Sequence, residues 1–212
     1  MSSSIVIQRS VTFINNSKPA KFTTKDLDLD ACYSADEIIV NVYFAALNPI
    51  DFILRQLASK WISPRKLKSY GLDYSGEVTR RGNKVDPKWQ LHDRIHGYIT
   101  HAFDDKGTLS DYVVFNPSNQ KTTTLINNFD YLDDEIKSKF NNFNMNALYP
   151  LVFGTAYIAI FGNGQKWGSD SKILLHGAST AVANCIVQIA KKHFKVGTVV
   201  GVCNSNSFEY NK

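Results

Sequence analysis

The stretch KILLHGASTAVANCIVQIAKKHFKVGTVVGV, from Lys172 to Val202, decides the fold. Lys172 to His176 is a short apolar run that reads as a buried strand. Gly177 to Thr180 reads as a tight turn, Ala181 to Phe194 as a helix and Thr198 to Val202 as a second buried strand. A strand, a small-residue turn, a helix and a second strand within about 30 residues form a βαβ unit. The helix supplies the crossover that parallel pairing requires, so the two strands are expected to pair in parallel.

The turn carries the chemistry. A glycine leaving the first strand permits a sharp turn, and the backbone amides that open the following helix favour an anion such as a pyrophosphate. Gly177, Ala178, Ser179 and Thr180 are therefore the candidate dinucleotide-binding residues. A full GxGxxG is absent, and a βαβ unit with a small-residue turn and no ligand is the alternative. After the second strand the sequence runs Cys203, Asn204, Ser205, Asn206, Ser207, with no acid before Glu209. An NAD site places Asp or Glu there against the ribose 2′-hydroxyl, whereas neutral polar groups tolerate a 2′-phosphate. Asn204 and Ser205 thus favour NADP over NAD, unless they only form a loop or cap the next helix.

Upstream of this unit, Leu148 to Phe161 is apolar nearly all round and reads as a buried helix opened by Pro150. Asn116 to Asn146 is polar and Asn-rich, with a short helix around Tyr131 to Phe140, and is expected to connect two domains. The first 115 residues read as mostly β, with strands at Ile5 to Ile7, Val11 to Ile14, Ile38 to Ala46, Gly76 to Thr79, Arg94 to Ile99 and Tyr112 to Phe115. No internal repeat is present.

Composition bounds the function. The 212 residues are 43% hydrophobic and 20% charged, the makeup of a folded protein rather than a disordered one. The charge-free stretch Asn141 to Gln165 is broken by Asn, Pro and Gly and falls short of the roughly 18 apolar residues of a spanning helix. Cys32, Cys185 and Cys203 are widely spaced with no CxxC pair, which argues for a reducing compartment and against disulfides or structural zinc. The N-terminus lacks a secretory pattern; its basic, Ser-containing start is faintly like a mitochondrial presequence but reads better as strands. The net charge of +5 comes from Lys60, Arg65, Lys66 and Lys68, then Arg80, Arg81, Lys84 and Lys88, read as a solvated basic rim rather than a nucleic-acid face. His92, His96 and His101 cluster without a Cys or acidic partner at ligand spacing, so no metal is expected.

The runs AALNPIDF (Ala45 to Phe52), GLDYSGEV (Gly71 to Val78), HDRIHGY (His92 to Tyr98), GTLSDYVVF (Gly107 to Phe115), FGTAYIAIF (Phe153 to Phe161) and KILLHGAST (Lys172 to Thr180) follow in an order and spacing that resemble the quinone oxidoreductase branch of the medium-chain dehydrogenase/reductases. The start NNSKPAKFTT and the end GTVVGVCNSNS are similar, more narrowly, to a fungal group of that branch associated with lipid droplets and mitochondria. The resemblance implies an α/β protein: a GroES-like catalytic domain over residues 1–147, then the first βαβ part of an incomplete Rossmann domain over 148–212. It implies NADPH bound between the domains, a quinone, enone or enoyl substrate, no zinc and a homodimer in the full-length form. Asn48 and Asp51 match the NPxD motif beside the nicotinamide and substrate, Asn48 as donor to the substrate oxygen and Asp51 as an ordering group. Thr155 matches the threonine that approaches the nicotinamide, and Asn204 and Ser205 fall at the adenosine phosphate.

Two departures stand out. The branch continues after HGAS as GGVG, where this chain has Thr180, Ala181, Val182 and Ala183, and each added side chain stands where a pyrophosphate approaches the backbone. The sequence also ends just after the second Rossmann strand, whereas members of the branch continue well beyond it. A truncated chain, inactive by itself, is expected on that resemblance. The competing reading is a catalytically silent member of the fold that acts as an interaction protein at a lipid droplet or mitochondrial surface.

Overall fold

The computed structural model describes residues 4–59, 67–100, 106–120 and 122–208. The chain divides into two compact units, Met1–Pro150 and Leu151–Lys212.

Unit 1 opens with β1 (Ile5–Phe13), which pairs antiparallel with β2 (Lys21–Asp28). The sequence suggested two separate strands here, but the run is continuous. Its inward positions are Gln8, Ser10 and Thr12, all buried, and these polar residues interrupt the apolar pattern without interrupting the strand. Next come β3 (Ile38–Ala46), α1 (Pro49–Leu57), β4 (Lys68–Ser69), β5 (Asp73–Arg81), β6 (Arg94–Tyr98), β7 (Tyr112–Phe115) and β8 (Thr124–Leu125). Strand β4 pairs with β1, and the others form a five-stranded antiparallel sheet in the order β7-β3-β5-β6-β8.

The core of this unit gathers Ile38, Val40, Tyr74, Val78, Ile95, Val113 and Phe115 from four neighbouring strands. Ile38 and Val40 lie two apart on one face of β3, so the period of the strand delivers both to the interior. Each such side chain, fully buried, contributes about 1.5–3 kcal/mol.

Two short helices, α2 (Asp134–Lys139) and α3 (Asn142–Ala147), complete the unit. Asp133 caps α2 by accepting from the Ile136 amide at 2.9 Å, and Asn141 caps α3 by accepting from Phe143 and Asn144. The expected inter-domain connection is therefore largely a packed part of unit 1. Phe143 stands edge-on to Tyr43, its carbonyl accepts from Ser75 Oγ at 2.5 Å, and the Arg94 guanidinium lies over its ring. Asn146 is completely buried and donates to the carbonyls of Asn127 and Asn142.

In unit 2, α4 (Pro150–Phe161) precedes β9 (Lys172–His176), α5 (Ala181–Gln188), a π-helical turn (Ile189–His193) and β10 (Thr198–Val202). Strands β9 and β10 pair in parallel, with Leu174 opposite Val200 and His176 opposite Val202. The helix read as continuous to Phe194 changes winding at Ile189. Lys191 then folds its ammonium onto the Val196 and Gly197 carbonyls beyond the end. Three burial expectations fail in this unit. Helix α4 buries Ala156 and Ile160 but exposes Phe153, Tyr157 and Ile158, and both strands leave one face open to solvent.

Among the described residues no helix is long and apolar enough to cross a membrane. The basic rim is also revised: Lys68 is buried and donates to the Ile14 carbonyl at 2.7 Å. Arg80 pairs with Asp30 at 2.7 Å, and Arg81 donates to the Val85 carbonyl. Lys60, Arg65 and Lys66 lie outside the described residues.

Candidate functional site

The first group of predicted residues lies at the start of α1. Asn48 is the N-cap and Pro49 opens the helix, where its missing N–H costs nothing. The Asp51 carboxylate reaches back to accept the Asn48 amide at 2.7 Å, which orders the loop. Burial raises the Asp51 carboxyl above its ordinary value, opposed by hydrogen bonds from the backbone amides of Asn48, Gly71 and Asp51 itself. The Asn48 side chain donates from Nδ2 to Asp73 Oδ2 at 2.8 Å, and both residues are buried. One amide hydrogen of Asn48 is thereby committed inside the protein and the other remains for a second acceptor.

Asp73 was not singled out by sequence. It is completely buried, receives Asn48, and its carbonyl accepts from Thr108 Oγ1 at 2.8 Å. Its signal was present as the acid inside GLDYSG, a position where an otherwise apolar strand entry carries a charge.

The second group lies in unit 2. Gly177 has φ +80, a left-handed conformation that glycine adopts without strain, and so fixes the exit from β9. The amides of Gly177 and Ala178 both donate to the Val202 carbonyl, at 2.9 and 3.0 Å, which ties the turn to the end of β10. These two amides are therefore not open to an anion, contrary to expectation. Thr180 is the N-cap of α5, and its hydroxyl accepts from the Ala183 amide at 3.2 Å. The amides of Ser179, Ala181 and Val182 have no protein acceptor among the described residues. At Gly201 an added Cβ would stand 2.7 Å from the Ala178 side chain, so only glycine lets strand and turn approach this closely.

This turn fits a dinucleotide pyrophosphate in one respect and resists it in another. Amides left without a protein acceptor at a helix N-terminus suit an anion. The Thr180 side chain, by contrast, takes one of the helix's own donors. Asn204 accepts from the Ser207 amide at 3.0 Å and caps the short 3-10 turn Ser205–Ser207, the role left open for it in the sequence. Thr155 is exposed and donates its hydroxyl to the Leu151 carbonyl one turn back, so its proton is directed at its own helix.

The histidines separate. His92 is exposed and hydrogen-bonds Glu77 through Nδ1 at 2.8 Å, whereas His96 is buried against Thr124 Oγ1 at 2.9 Å and the Tyr149 ring. Burial pushes the His96 imidazole down to about 4. His101 lies outside the described residues, and among those described no group of three or more His, Cys, Asp or Glu is placed to hold a metal ion.

These elements define the class of the fold. The chain has the mixed α/β fold of the quinone and enoyl reductases among the medium-chain dehydrogenase/reductases, a GroES-like unit 1 followed by a Rossmann βαβ unit 2. It superposes on a quinone oxidoreductase from Coxiella burnetii with a TM-score of 0.73 at 20% identity, covering 97% of this chain and 59% of that one. It superposes on an Escherichia coli quinone oxidoreductase solved with NADPH with a TM-score of 0.66 at 15% identity, covering 97% and 55%. No protein-family profile matches the chain.

Sequence similarity then narrows the class to a particular group. Protein YIM1 of Candida glabrata is 43% identical over 212 residues, covering 98% of this chain and 57% of that protein. YIM1 proteins are close homologues of this chain over its whole length, and the chain spans somewhat more than half of theirs.

Proposed function

We propose that the chain is the N-terminal part of an NADPH-dependent, zinc-independent oxidoreductase that transfers hydride to a quinone or to the electrophilic double bond of an enone or enoyl compound. The observation that supports this most is the turn of the βαβ unit. Gly177 holds the backbone in the left-handed region, and the amides of Ser179, Ala181 and Val182 have no protein acceptor among the described residues. Those three amides would hold the pyrophosphate. Asn204 and Ser205, with no acid between Val202 and Glu209, leave room for a 2′-phosphate. Bound NADPH would supply the hydride, so the protein needs no nucleophile of its own.

The remaining work falls to the NPxD loop. Asp73 holds the Asn48 amide by one hydrogen, which leaves the other to stabilise an oxygen that gains negative charge as hydride arrives. Asp51 fixes the loop through the Asn48 backbone and delivers no proton.

Thr180 favours a second reading, a silent member of the fold that binds a partner at a lipid droplet or mitochondrial surface. Its hydroxyl occupies the Ala183 amide where the oxidoreductases of the branch have glycine. Fluorescence titration with NADPH separates the two, carried out on this chain and on its fusion to the part of Candida glabrata YIM1 that it does not match. Enhanced, blue-shifted NADPH emission from the folded fusion supports the oxidoreductase. No change at millimolar NADPH, with the Thr180→Gly variant equally silent, refutes it.

A further inference from the structure

The β1–β2 hairpin is built inside out. Its register sets Gln8 opposite Lys25, Ser10 opposite Thr23 and Thr12 opposite Lys21. Gln8, Ser10 and Thr12 are buried, whereas Ile7, on the other face of β1, is 67% exposed. Buried polar groups normally find hydrogen-bond partners, so those on the inner face have to be accounted for. Thr12 and Thr23 share a hydroxyl hydrogen bond at 3.2 Å, and Gln8 donates from Nε2 to the Tyr112 carbonyl at 3.0 Å. That bond commits the amide end of Gln8 and leaves its carboxamide oxygen without a donor among the described residues, although the residue is only 5% exposed.

Gln8 lines a cavity of about 180 Å³, where a single water needs only about 10–15 Å³. Lys25, Glu37 and Lys106 bring charge to its lining, and Leu27 and Val114 bring apolar surface. Burial would raise the Glu37 carboxyl, but hydrogen bonds from Ser34 and the Lys106 ammonium outweigh it and hold the group below its ordinary value, so it is ionised at neutral pH. The Cys32 thiol, also in the lining, is raised by burial and adds no charge. Two ammonium groups against one carboxylate leave the lining with an excess of positive charge.

We propose that this cavity is a binding site for a short hydroxy acid. Its carboxylate balances the excess charge of Lys25 and Lys106, its hydroxyl donates to the Gln8 carboxamide oxygen, and its carbon chain lies on Leu27 and Val114. Such an acid satisfies all three at once, which neither water nor an inorganic anion does. The site lies wholly in unit 1 and uses none of Asn48, Asp51 or the βαβ turn, so its failure and that of the oxidoreductase reading are distinguishable.

The test titrates the isotope-labelled chain with 3-hydroxybutyrate at fixed ionic strength and follows amide and methyl chemical shifts. Saturable shifts are expected at Gln8, Lys25, Leu27, Cys32 and Val114. Butyrate, which lacks the hydroxyl, 3-hydroxybutyramide, which lacks the charge, and inorganic phosphate, which lacks the carbon chain, are each expected to bind at least tenfold more weakly. Lys25→Met is expected to weaken 3-hydroxybutyrate binding at least tenfold, and Lys21→Met, on the same face of β2 but outside the cavity, to leave it unchanged. Both lysines are exposed, so the spectrum of the rest of unit 1 is expected to stay in place in each variant. The proposal is overturned by shifts that do not saturate in millimolar 3-hydroxybutyrate, by butyrate, the amide or phosphate binding as tightly, or by equal effects of the two lysine variants. The comparison ligands need no variant, so the test decides even if Lys25→Met fails to fold.

Discussion

In unit 1, Ile38, Val40, Tyr74, Val78 and Ile95 are shut away from solvent, whereas in unit 2 the strand residues Leu174, Val200 and Val202 are largely open to it. Both sets are apolar and both lie in hydrogen-bonded strands. The five-stranded antiparallel sheet of unit 1 closes over a cluster of its own side chains, while the two parallel strands of unit 2 are covered on one face alone. Strand formation and strand burial are thus separate events: backbone pairing needs only a neighbour, and burial needs a second layer.

The sharpest way to break this comparison is to cut into each unit. Tyr74 packs against Phe115 at 5.6 Å and its hydroxyl meets Thr123 Oγ1 at 2.9 Å. Tyr74→Ala is expected to cost about 3–5 kcal/mol. Leu174→Ala is expected to stay within about 0.5 kcal/mol, as for a surface change. Urea unfolding of both variants checks this, and equal losses would remove the contrast.

A smaller effect comes from pH. His96 has a folded value of about 4 against an ordinary 6.5 because burial disfavours its charged form. The unfolded chain therefore takes up the proton first, so this contribution to stability is present above pH 6.5 and lost as pH falls toward 4. The loss amounts to about 3 kcal/mol by linkage. It should appear in the unfolding transition of unit 1, and His96→Gln should flatten that part of the pH profile.

The smallest effect belongs to the cap of α5. Thr180→Ala removes the acceptor for the Ala183 amide and is expected to cost about 1 kcal/mol, with Thr180→Gly costing less. A thermal melt monitored in unit 2 reads it, and no difference between the two variants would mean that the hydroxyl bond does not stabilise the helix.

Some of this was legible from sequence because short apolar runs bounded by turn residues favour strands. Ile38–Ala46, Tyr112–Phe115, Lys172–His176 and Thr198–Val202 were read with the bounds that the structure has. Strand β2 escaped because most of its residues, Phe22 among them, are exposed, and a strand with no buried face shows no alternation. Helix α1 was hidden inside a motif read for chemistry, although Pro49 at its first position and Asp51 two residues later are helix-start signals. Helix α3 was masked by the Asn-rich composition that caps it. At the turn, sequence located Gly177 but not the Val202 carbonyl, a partner 25 residues away that takes two of the amides assigned to a ligand. Asp73 was missed for the same reason, since its importance lies in its contact with Asn48.

The proposed NADPH site depends most on the three amides of the βαβ turn. An amide chemical-shift titration of the isotope-labelled chain and of its YIM1 fusion with NADPH and NADH addresses them directly. Shifts concentrated at Ser179, Ala181 and Val182, saturating at lower concentration for NADPH than for NADH, are the predicted result. Unmoved signals at those residues in millimolar NADPH, from a fusion whose β9 and β10 amides show it to be folded, would contradict it.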